Sequence, residues 1–137
     1  MLVQLRYAPL PLIGMVAVHY WFVAVDDAGA CHRWEVWQTP DAGGKGGRCL
    51  SFGHVHRDLK PPEEDVGGGP ARLAAEWRGE QAAAILTVLG RACGYPHCRR
   101  YRYWPGPNSN TFVSWVLREA GVTQPLVWKA FGKRYPA

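Results

Sequence analysis

The stretch that most constrains this chain is Trp104-Pro105-Gly106-Pro107-Asn108-Ser109-Asn110-Thr111-Phe112-Val113. Two prolines around a glycine restrict the backbone on its approach, and Asn108 is a good helix N-cap because its side chain accepts from orphan backbone N–H groups. Beyond it Phe112, Val113, Val116, Leu117 and Ala120 recur at three- and four-residue spacing, which predicts a helix over 109–120. Ser109 falls on the same stripe, so it faces the core side of the first turn. Gly121 suits the C-terminal end, and Pro125 prevents resumption.

The rest of the chain supplies the surface this helix packs on. Met15 to Val25 is rich in β-branched and aromatic residues and reads as a buried strand. A turn at Asp26 to Gly29 leads to a second strand, Cys31 to Gln38, and the two read as a hairpin. Thr39 to Arg48 is a loop whose Gly43-Gly44-Lys45-Gly46-Gly47 lacks the Gly-Lys-Ser/Thr ending and following helix of a phosphate loop. Cys49 to Arg57 is a third strand with Leu50, Phe52, His54 and His56 on one face, and Lys60 to Pro70 is a surface connection, mobile by composition. From Pro70 to about Ala92 the spacing of Leu73, Ala74, Trp77, Ala82, Ile85 and Leu89 predicts a helix, with a possible break at Gly79. Arg99 to Trp104 is a short strand or an extended lead-in. Strands first and helices later favour an α+β fold, an antiparallel sheet packed against the Ser109 helix and a preceding helix.

Composition narrows the function classes only modestly. The length fits one domain over 1–137, and the net charge of +5 is a weak pointer to anionic partners. Cys31, Cys49, Cys93 and Cys98 have no zinc spacing; they read as free thiols of a reducing compartment, with a Cys93–Cys98 bridge as the alternative after export. His54 and His56 share a strand face, but two imidazoles without a third ligand are not a metal site, and no cofactor is implied. Tyr7 to Val25 carries no charge, yet Pro9, Pro11, Gly14 and His19 interrupt it, so it reads as strand and not as signal or anchor. That favours a cytoplasmic protein without a transmembrane segment. Arginines interleaved with rings over 99–104 would suit single-stranded nucleic acid, although a structural lead-in is the preferred reading.

Four runs together resemble the bacterial domain of unknown function 3750: Tyr103 to Phe112, Trp77 to Ala82, Ala130 to Tyr135 and His19 to Phe22. More distantly, Asn108 to Val113 is similar to the Asn-Cys-x-x-Phe-Val block of circularly permuted NlpC-type, papain-like proteins. In that group a histidine on an early strand precedes a cysteine at the start of a late helix, and His19 and Ser109 occupy those places. The resemblance implies a permuted papain-like (NlpC-type) α+β fold and a hydrolase or acyltransferase acting on an amide or ester, with a serine where the family has cysteine. A serine hydroxyl needs a base in the transition state, which His19 would supply, while first-turn N–H groups would receive the oxyanion.

If the hairpin pairs residue 25 with 31, Glu35 falls on the His19 face one diagonal away; a shift of one offers His32 or Trp34 instead. Glu35 is thus the first choice to orient His19, and His32 the second. Asn108 and Asn110 are loop-fixing residues with a possible hand in substrate binding, and of the core tryptophans Trp21 and Trp104 are candidates to line a cleft. The alternative to an enzyme is a papain-like module that lost its thiol and binds a peptide, cell-wall fragment or lipid.

Overall fold

The computed structural model describes residues 1–13, 15–41 and 51–137. Among them are β1 (Leu2–Pro9), β2 (Val18–Val25), β3 (Cys31–Asp41), β4 (Gly53–Arg57) and β5 (Arg72–Arg78), then α1 (Gly79–Leu89), a short 3₁₀ turn at Ala92–Gly94, and α2 (Ser109–Glu119). The strands form one antiparallel sheet in the order β4-β3-β2-β1-β5. The fold is α+β, as the segregation of the sequence implies. The glycine-rich stretch 43–47 lies outside the described residues.

Alternation along β2 divides the sheet into two faces. Val18, Tyr20, Phe22 and Ala24 join Val3, Leu5, Trp34 and Val36 in the main core, together with Ile85, Leu89, Phe112, Val113 and Val116 from the helices. Trp21 and Val23 point the other way into a smaller cluster with Ala8 and Val66. That second face is covered by the chain between β4 and β5. Trp21 Nε1 donates to the Pro62 carbonyl at 2.9 Å, and Arg33 Nη1 donates to those of Pro61 at 3.0 Å and Glu64 at 2.6 Å. The segment expected to be a mobile connection is therefore strapped to the sheet by two side chains beneath it.

Three expectations need correction. Arg72 to Arg78 is a strand, not the first part of a helix: Leu2 to Tyr7 pairs with it, and a partner some seventy residues away outweighs local helical spacing. Gly79 is where the change occurs, at φ +62°, a conformation open to glycine at little cost. Leu2–Pro9, to which the sequence pattern assigned no element, is a strand paired with both β2 and β5. Finally, Cys31 and Cys98 are free thiols whereas Cys93 is disulfide-bonded, so the expectation of free thiols fails at Cys93 and a Cys93–Cys98 bridge is not formed.

α2 begins as its sequence dictates. Asn108 Oδ1 accepts from the N–H groups of Asn110 at 3.0 Å and Thr111 at 3.4 Å, and Thr111 Oγ1 accepts from the Asn108 N–H at 3.1 Å, a reciprocal capping box. The peptide bonds Trp104–Pro105 and Gly106–Pro107 are both cis. Gly132 lies against the cap at φ +92°, and a Cβ there would overlap the Asn108 side chain. Gly132→Ala is expected to lower stability by about 2–4 kcal/mol in urea melts, through strain at positive φ and displacement of the cap. A loss under about 0.5 kcal/mol would mean that the cap tolerates the methyl group.

Candidate functional site

The site arises where β2 and β3 stop pairing. Their register runs from Val25 opposite Cys31 to Phe22 opposite Trp34, leaving Val18 to Trp21 without a β3 partner. Asn110, in the first turn of α2, fills the place. Its Oδ1 accepts from the Tyr20 N–H at 3.2 Å, and its Nδ2 donates to the carbonyls of Val18 at 2.9 Å and Phe131 at 3.0 Å. A carboxamide so placed stands in for a peptide group of a neighbouring strand. The helix start is thereby fixed against the strand that carries His19.

The register is the one on which Glu35 reaches the His19 face. His19 Nε2 lies 2.6 Å from Glu35 Oε2. Arg33, two residues along β3, donates from Nη2 to the same oxygen at 2.9 Å, while its Nε lies 2.9 Å from Oε1 without hydrogen-bond alignment. Arg33 and Glu35 are fully buried and His19 nearly so. Burial alone would raise the Glu35 carboxyl, but the hydrogen bond and charge of His19 and the neighbouring Arg33 guanidinium outweigh it and hold the group below the ordinary carboxylate value.

Trp21 forms the floor. Its ring stacks on His19 with centroids 5.7 Å apart, and the Arg33 guanidinium carbon sits 4.0 Å from its centroid. Trp37 meets His19 edge-on at 5.1 Å. With one ring nitrogen committed to Glu35 and both neighbours aromatic, the imidazole is held in position, and Nδ1 is its remaining polar atom.

A cavity of about 240 Å³ opens above this array. His19 and Ser109 both line it, together with Asn108, Asn110, Trp37, Tyr101, Tyr103 and Phe131, and its far wall is Leu10, Pro11, Ile13 and Val66. Gln38 completes its polar lining. Among the described residues that line it there is no lysine, arginine, aspartate or glutamate, so a group entering it is best uncharged. Ser109 is buried, and its hydroxyl donates at the outer limit, 3.5 Å, to Asn110 Oδ1. No hydrogen bond joins Ser109 to His19 among the described residues.

The remaining candidates are placed elsewhere or otherwise employed. His32 lies opposite Ala24 at the far end of the hairpin, with Nδ1 2.7 Å from Asp58 Oδ2, and takes no part in the array. Trp21 is fully buried and supports His19 and Arg33 without lining the cavity. Trp104 is exposed and belongs to an adjoining hollow, edge-on to Phe131 at 5.5 Å. Asn110 spends its carboxamide on backbone groups, and Asn108 spends Oδ1 on two first-turn N–H groups and Nδ2 on the Tyr103 carbonyl at 2.9 Å. The Ser109 N–H, which makes no hydrogen bond among the described residues, is the first-turn donor left for an acceptor oxygen in the cavity.

His54 and His56 bond through their rings to the carbonyls of Trp37 at 2.8 Å and Thr39 at 2.7 Å. Among the described residues no cluster of three metal-ligating side chains is present. Nor is any helix among them long and apolar enough to cross a membrane.

Sequence reading missed Arg33, Phe131 and the wall at Leu10 to Ile13. For Arg33 a signal existed. β2 is apolar at every position except His19, which means that both sheet faces are covered, so a polar residue opposite its middle, as Arg33 is opposite Val23, is expected to be buried as well.

Fold and site together define an α+β domain protein with a buried histidine–carboxylate pair beside a capped helix start. The chain belongs to the family described as protein of unknown function DUF3750, which it matches over residues 1–135. No curated protein and no solved structure matches it.

Proposed function

We propose that the chain is a permuted papain-like (NlpC-type) hydrolase or acyltransferase in which Ser109 replaces the family cysteine. The observation that carries this reading is the sharing of one cavity by Ser109 and His19, with Glu35 bonded behind the imidazole. Ser109 Oγ attacks the carbonyl carbon of an ester or amide, and its proton passes to His19 Nδ1. The imidazolium is stabilised by Glu35, while the Ser109 N–H donates to the oxyanion. Collapse of the tetrahedral adduct expels the alcohol or amine, which takes the proton back from His19. Water or a second nucleophile then releases the acyl group by the same steps in reverse. The apolar far wall, with no charged side chain among the described lining residues, suits an acyl or aromatic substituent.

A broad fluorophosphonate probe tests the chemistry. Labelling of the wild-type chain, abolished in Ser109→Ala and reduced about 100-fold or more in His19→Ala, is the expected result. Labelling unchanged in Ser109→Ala removes the proposal.

The hydroxyl's contact with Asn110, in place of His19, favours a second reading: a binding module that keeps the cleft without turnover. It expects no labelling of either form, with an apolar ligand retained by Ser109→Ala and lost on Trp37→Ala.

A further inference from the structure

Around the mouth of the cavity the protein exposes apolar side chains that its own fold does not cover. Between β1 and β2, Leu12 is fully exposed and Met15 is 87% exposed, while Leu10, Pro11 and Ile13 of the same turn form the cavity wall. Leu12 and Met15 share a second hollow with Lys129. A third hollow, joined to the cavity through Phe131, holds Trp104 and Trp128, each 67% exposed, beside Lys133 and Arg134. Among the described residues that line all three there is no aspartate or glutamate.

We propose that this face docks the protein on the surface of an anionic lipid bilayer, with the side chains of Leu12, Met15 and Trp128 entering the headgroup boundary and the cavity mouth turned toward the lipid. The occupant follows from composition. An apolar tip would suit many partners, but bulky apolar side chains, tryptophans and cations, with no acid among the described residues lining the three hollows, match an interface that is apolar within and negative outside. Tryptophan is favoured there because its ring is apolar while its N–H reaches water. Lys129, Lys133 and Arg134 add the attraction to anionic headgroups, which gives the two signals that stable peripheral attachment requires. Contact is superficial, in keeping with the lack of any membrane-crossing helix among the described residues.

The inference stands apart from the chemistry proposed for Ser109, and the experiment keeps the two separate. The full chain is sedimented with vesicles of phosphatidylcholine containing about 30 mol % phosphatidylglycerol, and with vesicles of phosphatidylcholine alone. The expected result is binding to the anionic vesicles that weakens as salt rises, with about tenfold or greater loss for Leu12→Asp/Met15→Asp and a smaller loss for Arg134→Glu. Ser109→Ala binds as the wild type does, whatever the probe experiment gives. Leu12 and Met15 have no packing to lose, and far-UV circular dichroism of the variant checks that it is folded. Failure of the wild type to bind, or equal binding by the folded double variant, overturns the proposal. So does a wild-type dimer that ignores vesicles and that the double variant dissociates, since the face would then belong to a second copy of the chain.

Discussion

Glu35→Ala is expected to destabilise the protein by about 3–5 kcal/mol, the usual consequence of leaving a buried ionic partner alone. Arg33 would keep its bonds to the Pro61 and Glu64 carbonyls but lose the carboxylate beside it, at a position with no exposure to water. His19 would lose the partner that fixes its ring. The sign of the pH dependence follows from the lowered Glu35 carboxyl. A depressed folded-state value adds stability above the unfolded carboxylate pKa, about 4.3, and that stability is lost as pH falls through the folded value. Wild-type urea midpoints should therefore fall on acidification below that range, more steeply than those of Glu35→Gln. Parallel profiles would show that Glu35 does not carry the acid sensitivity. Replacing both members by apolar residues, Arg33→Met with Glu35→Leu, should recover part of the loss, because the cost lies in breaking the pair more than in lacking it.

Asn110→Ala should cost nearly as much, about 2–4 kcal/mol, for a different reason. Three backbone groups lose their partner together: the Tyr20 N–H and the carbonyls of Val18 and Phe131. Those of Val18 and Tyr20 belong to buried residues, and an unmade buried hydrogen bond costs about 1–3 kcal/mol. Amide hydrogen exchange provides a local readout. Protection of the Tyr20 amide should fall well beyond the global loss of stability, while that of amides deep in the β1–β2 ladder follows the global change alone. Equal changes at both would assign Asn110 a merely additive packing role. Because the same side chain seats α2 against β2, fluorophosphonate labelling of Ser109 should also fall in this variant.

Legibility in the sequence depended on how local the deciding interactions are. α2 was readable because a proline-bounded approach, an asparagine cap and an apolar stripe all lie within some twenty residues. The His19–Glu35 contact was readable by counting across one tight hairpin. β5 was not: Leu73, Ala74 and Trp77 satisfy helical spacing, and only the distant β1 makes Arg72–Arg78 a strand. Arg33 was missed because β3 read by itself cannot tell whether its polar face meets water; the signal lies in the apolar run of β2. The strap that buries it belongs to a Pro- and acid-rich segment resembling a free loop. Asn110 was read as a loop-fixing residue; that it completes a sheet by its side chain depends on where β3 departs, which no pattern within β2 reveals.

The Asn110 brace has a consequence for association as well. Unpaired N–H and C=O groups along a strand invite other chains to add to the sheet. Where β3 leaves β2, such an opening would lie inside the molecule and beside apolar residues, a hazard in any state with the last third of the chain undocked. Asn110, with the Lys129 carbonyl accepting from the Val18 N–H at 3.1 Å, closes it with segments that arrive last in the sequence. The protein thus seals its sheet against strand addition only when its C-terminal third is in place.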